Sequence, residues 1–155
     1  MLKKLLLILY LVFFIQPCAF TKEIPVKVET LLKISTSNVN LHEGDNLSLA
    51  VAEDVFLNSK LYIKKDASVD GVITSLIDNG FTCQEASIYA ENFRVKTILG
   101  DVVKLKGIVY VKGRNHWMLT QFLPLIYILI RGGEAQMLPS QDIFTLYLEA
   151  NNEDL

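Results

Sequence analysis

Between Lys22 and Leu155, apolar and polar residues alternate with a period of two, and Gly, Asn, Asp or Pro interrupts the alternation at short intervals. Segments with one apolar and one polar face, separated by turn formers, are the signature of antiparallel strands. Leu47, Leu49 and Val51 alternate with Ser48, Ala50 and Ala52, and Leu61 and Ile63 repeat the pattern before Asp66. Val69-Asp70-Gly71-Val72-Ile73 leads to the turn signal Asp78-Asn79-Gly80, after which Ala86, Ile88 and Ala90 continue toward Phe93. Val95 to Ile98 and Val103 to Lys106 flank Gly100-Asp101, which reads as a hairpin connection. Ile108 to Val111 and Ile143 to Leu148 complete about eight short strands, the spacing of an antiparallel sandwich or barrel. The expected fold class is therefore all-β, with one small domain over residues 22–150.

Two stretches break the pattern. Leu5 to Ile15 is an unbroken apolar run of 11 residues behind Met1-Leu2-Lys3-Lys4. A basic start followed by a short apolar run matches a secretory leader, and Gln16-Pro17 ends it well short of the roughly 20 residues that span a bilayer. Cleavage is expected within Cys18-Ala19-Phe20-Thr21, which makes residues 1–21 a signal peptide and the product periplasmic or secreted. An uncleaved leader holding the domain on the membrane is the alternative. Lipidation of Cys18 is disfavoured, because Gln16 and Pro17 stand where small residues are needed.

The second stretch, Trp117 to Ile130, is apolar nearly throughout, interrupted by Thr120, Gln121 and Pro124. Two readings stay open. Burial in the core is favoured, since an exposed apolar patch of that size invites aggregation. The other is a greasy hairpin whose tip docks on a partner or a membrane, with Trp117, Phe122, Leu125 and Ile128 as partner-contact residues. Arg131-Gly132-Gly133-Glu134 then reads as a sharp reversal, and the acidic end, residues 151–155, reads as a disordered tail.

Of the 155 residues, 51% are apolar, and a good part of that excess sits in the leader. Removing Lys3 and Lys4 with the leader shifts the formal charge from −2 to −4. No basic run survives, so nucleic acid is excluded as a partner, and membrane association is expected only through an uncleaved leader. Cys83 is the one cysteine beyond the leader, so no internal disulfide can staple the domain and packing must hold it.

One motif occurs twice. Leu61-Tyr62-Ile63, the polar corner Lys64-Lys65-Asp66-Ala67 and the strand Ser68-Val69-Asp70-Gly71-Val72-Ile73 are echoed by Gln136-Met137-Leu138, Pro139-Ser140-Gln141-Asp142 and Ile143-Phe144-Thr145-Leu146-Tyr147-Leu148. Such a corner turns the chain while keeping both apolar faces on one core, as a closed barrel requires. With Asp54-Val55 and the hairpin at Gly100-Asp101, these corners resemble those of small exported bacterial β-domains and, more distantly, the barrel domain of TrbI-like conjugation and type IV secretion proteins. The resemblance covers roughly residues 49–107 plus the corner at Pro139, and implies a β-barrel outside the cytoplasm. Asp66 and Gln141 stand where those corners carry glycine, and no Pro-rich stretch follows the leader, so the resemblance carries no secretion role.

Candidate chemistry is sparse. Asn40-Leu41-His42-Glu43-Gly44-Asp45-Asn46 combines an imidazole with two carboxylates, but it lacks calcium-loop spacing and a second zinc ligand pair, so a solvated turn is expected and no metal. His116 beside Trp117 reads as a loop entering the core, or as a contact point. No nucleophile elbow, phosphate loop, dinucleotide fingerprint or zinc-protease motif is present, so no catalytic residue and no cofactor is expected. The reading is a non-catalytic exported protein of the bacterial cell envelope, a scaffold or interaction module with an envelope protein as partner. The alternatives are a barrel holding a small apolar ligand and an enzyme without a recognised motif.

Overall fold

The structure, a computed structural model, describes residues 22–38, 40–81, 83–114 and 130–150. Eleven strands lie among them and no helix: β1 (Lys22–Thr30), β2 (Ile34–Ser35), β3 (Asn46–Val51), β4 (Val55–Leu57), β5 (Lys60–Ile63), β6 (Ser68–Ile77), β7 (Ser87–Lys96), β8 (Val102–Lys106), β9 (Val109–Lys112), β10 (Gln136–Met137) and β11 (Ile143–Ala150). The fold is all-β, and every pairing is antiparallel. The expected count of about eight falls short because β2, β4 and β10 have two or three residues each, too few for an alternation to register.

Six strands close a ring in the order β6-β3-β1-β11-β8-β7, and β7 pairs back with β6. Following paired residues once round the ring from Thr30, through Leu49, Val69, Val95 and Val103 and on across β11, returns to β1 at Lys22, about eight residues from the start. That stagger tilts the strands and makes a small barrel whose interior only side chains can fill. Val26, Val28, Leu47, Leu49, Val69, Ile73, Phe93, Val95, Leu105, Leu146 and Leu148 are buried there in one cluster.

Phe93 is the largest fully buried side chain, and it fits because Gly71 faces it. A Cβ at position 71 would come within 2.3 Å of the ring, so the glycine supplies the space the phenyl group occupies. One register shift between β6 and β7 falls at Gly71, between Asp70 and Val72, and a second follows between Ile73 and Ser75, as expected where a strand bends round a corner.

The β7 strand serves two partners along one edge. Ser87 to Ala90 pair with β9, Phe93 to Lys96 pair with β8, and the switch falls at Glu91-Asn92 opposite Gly107-Ile108. The break frees β8 to reach β11, which closes the ring and leaves β9 at the end of the sheet order.

Two small ribbons complete the core. At the rim that carries the β7–β8 turn, the β4–β5 hairpin turns Val55 and Ile63 inward. Near β9, the β2–β10 pair contributes Met137, with Ala135 beside it. Both expected corners occur, each leading from a ribbon strand into a ring strand, β5 into β6 and β10 into β11. Asp66 takes the left-handed conformation in the first at φ 64°, and Ser140 in the second at φ 58°, one residue before the position the sequence suggested.

A carboxylate clasps the β2–β10 ribbon. One oxygen of Glu134 accepts hydrogen bonds from the Gln136 amide and from the hydroxyls of Ser35 and Ser37. The Gln136 bond foremost, then that of Ser37, holds this carboxyl below its ordinary value. A lowered carboxyl pKa stabilises the fold above the unfolded value, near 4.3, and that stabilisation is lost as pH falls through the folded value. Amide exchange at Thr36 and Ala135, which bond each other across the ribbon, is therefore expected to lose protection selectively as acid is added below about pH 4.3. In Glu134→Gln this selective acid response disappears.

Candidate interaction surface

The β7–β8 turn, Thr97-Ile98-Leu99-Gly100-Asp101, is held in shape by its own bonds. The Thr97 N–H donates to the Asp101 carbonyl at 2.8 Å, the Gly100 N–H to the Thr97 carbonyl, and the Asp101 N–H to the Thr97 hydroxyl. The turn is pinned to the neighbouring hairpin, because the Ile98 N–H donates to the Tyr62 carbonyl at 3.1 Å. Hairpin apices usually carry Gly, Asn or Asp. Here the apex presents isoleucine and leucine.

Both hairpins at this rim carry exposed apolar residues. Leu99 is 83% exposed, Val102 67%, Phe56 56% and Ile98 51%, too much for any of them to serve the core. Phe56 lies opposite Leu61 on the β4–β5 hairpin, and Val102 lies opposite Lys96 on the β7–β8 hairpin. Leu57, Leu61, Tyr62, Ile98 and Leu99 line a groove of about 390 Å³ between the two hairpin ends. A second, wider groove of about 660 Å³ begins at Ile98 and is walled by Lys64, Lys65 and Lys96.

The lysines change the electrostatic picture. Lys27, Lys106 and Lys112 pair with Glu53, Glu23 and Glu85 elsewhere on the barrel. Lys60, Lys64, Lys65 and Lys96 make no ion pair among the described residues, and the Asp54 carboxylate beside them accepts the backbone N–H of Lys65 at 2.7 Å. Residues 54–66 and 94–104 together hold six cationic side chains against three carboxylates. The expectation that no basic patch survives in the mature chain holds along the sequence and not in space, because the β4–β5 hairpin folds Lys60 to Lys65 against the end of β7.

The other sequence candidates fall out as follows. In the loop at His42 the carboxylates fix the chain: Asp45 accepts the His42 N–H at 2.7 Å and Glu43 accepts the Leu76 N–H at 2.9 Å. Among the described residues no group of three or more His, Cys, Asp or Glu is placed to hold a metal ion. Cys83 is buried, and its N–H donates to the Ile130 carbonyl. Gly132 and Gly133 do not form the expected sharp reversal. They let backbones touch, since a Cβ on Gly132 would lie 2.0 Å from the Gln84 carbonyl oxygen and one on Gly133 2.7 Å from the Arg114 nitrogen. The leader, His116, the contact residues Trp117, Phe122, Leu125 and Ile128, and the acidic tail lie outside the described residues.

On the far side, β9 stands at the end of the sheet order. Tyr110 stacks on Tyr89 at 4.4 Å, and its hydroxyl pKa is raised, chiefly by burial against its neighbours. Lys112 bonds Glu85, which holds the ammonium pKa above its ordinary value.

Comparison of the chain with protein-family models, with curated proteins and with solved structures gives no match.

Proposed function

We propose that this chain is an exported protein of the bacterial cell envelope that acts by surface contact and not by catalysis, with the turn rim as its contact surface. One observation carries the reading: a filled, closed barrel holds apolar side chains in water on two hairpin ends that are bonded to each other. Exposed apolar groups so placed mark sites of association, since nothing in the fold requires them there. The packed interior favours contact over the alternative of a ligand held inside the barrel, because side chains occupy the space a ligand would need. The leader supplies the route of export, by the argument from Leu5 to Ile15 given above.

The test is cell fractionation of the full chain, with the mature N-terminus read by mass spectrometry. The expected product begins near Lys22, is retained in the envelope fraction, and is released by the double variant Ile98→Asp/Leu99→Asp. Since both side chains are exposed, each substitution is expected to change stability by no more than about 0.5 kcal/mol. A double variant that keeps its β-sheet circular dichroism and partitions as the wild type does would remove the rim from the account. A product that keeps its leader would replace the cleaved form with the anchored one.

A further inference from the structure

Resting on that reading, we infer that the surface met by the turn rim is an anionic lipid bilayer, into which Ile98, Leu99 and Val102 dip while the surrounding lysines meet the headgroups. Three observations select lipid over a protein partner.

The first is composition. The cores of protein–protein interfaces are depleted in lysine, whereas here Lys60, Lys64, Lys65 and Lys96 wall the same grooves as the apolar residues. Lysine is suited to a lipid boundary, where its stem lies along apolar surface and its ammonium reaches the phosphate layer.

The second is charge asymmetry. The 24 residues of the two rim segments hold six cations and three carboxylates, while the rest of the chain from Lys22 onward holds seven and fourteen. The net +3 of these two segments turns them toward an anionic plane, and of the other carboxylates at the same end Glu23 and Glu53 are paired with Lys106 and Lys27.

The third is chain geometry. By the ring register, Lys22 on β1 lies level with Val103 on β8 across β11, so the chain enters the barrel two strands, roughly 10 Å, from the exposed Val102. A leader joined at Lys22 would thus leave from the same end of the barrel as this rim.

The experiment is flotation of the processed protein, purified from cells, with vesicles of phosphatidylcholine alone or with about a third phosphatidylglycerol. Binding is expected with the anionic vesicles and is expected to weaken as salt rises. Each of Lys64→Gln and Lys96→Gln is expected to weaken it about fivefold, and Leu99→Asp at least about tenfold. Ile143→Asp, at an exposed apolar site away from the rim, should bind as the wild type does. Wild type that stays unbound with anionic vesicles at low salt overturns the lipid inference, as does binding that Leu99→Asp and Lys96→Gln leave unchanged. Cell fractionation separates the two levels. If vesicles do not bind but the rim variants still leave the envelope fraction, the contact reading stands with a protein as partner. If the rim variants are retained as well, both fall.

Discussion

Phe93→Ala is expected to lower the unfolding free energy by about 3–5 kcal/mol, measured by urea denaturation. Phe93 is fully buried inside the ring, next to the point where β7 changes partner, and its phenyl group packs over Gly71 on the neighbouring strand β6. The pair gives a sharper result than either residue alone. Gly71→Ala places a methyl group 2.3 Å from the ring and is expected to cost about 1–3 kcal/mol by overpacking. In the Phe93→Ala background the same methyl enters the vacated space, so the added cost should vanish or reverse. Strict additivity of the two substitutions would show that Gly71 and Phe93 do not meet as described.

Gly132→Ala is expected to cost about 3 kcal/mol or more, because the contact it forces is with backbone and not with a flexible side chain. The Gln84 carbonyl oxygen, 2.0 Å from the added Cβ, accepts the Gly80 N–H, while Gly80 in turn accepts the Gly132 N–H and Asn79 bonds the Gly132 carbonyl. Relief of the clash therefore pulls apart several bonds at once. Gly44→Ala is the comparison. At φ +91° it strains the backbone, but no atom lies within 4 Å, so it is expected to cost about 1–2 kcal/mol. Equal losses at the two positions would show that the backbones at Gly132 are not locked together.

The ring strands were legible because a filled barrel buries one face of each strand. That arrangement writes a period of two into β3, β6, β7 and β11, and the alternation of Leu47, Leu49 and Val51 is buried as read. What escaped depends on contacts between distant segments. The partner switch at Glu91-Asn92 is written only as a one-residue change of phase, from Ile88 and Ala90 to Phe93 and Val95 as the buried positions, and which strands it separates depends on distant segments. Asp66 and Ser140 occupy left-handed conformations that glycine would have announced and they do not. Gly132 and Gly133 were visible as glycines, but their role depends on what lies against them. The rim was half legible. Ile98 and Leu99 stand directly before Gly100-Asp101, where a polar pair is expected, and Ile98 was instead assigned to the preceding strand. The lysines of the rim come from segments thirty residues apart, and the bond between Ile98 and Tyr62, with the β6–β7 pairing, brings them together.

The central claim, that the turn rim is where this barrel meets its surroundings, is tested most directly by placing a photo-crosslinking residue at position 99 in cells. Position 143 on the barrel wall serves as the reference. The account predicts an adduct, to lipid or to protein, formed efficiently from position 99 and weakly or not at all from position 143. Identical crosslinking from the two positions would contradict it.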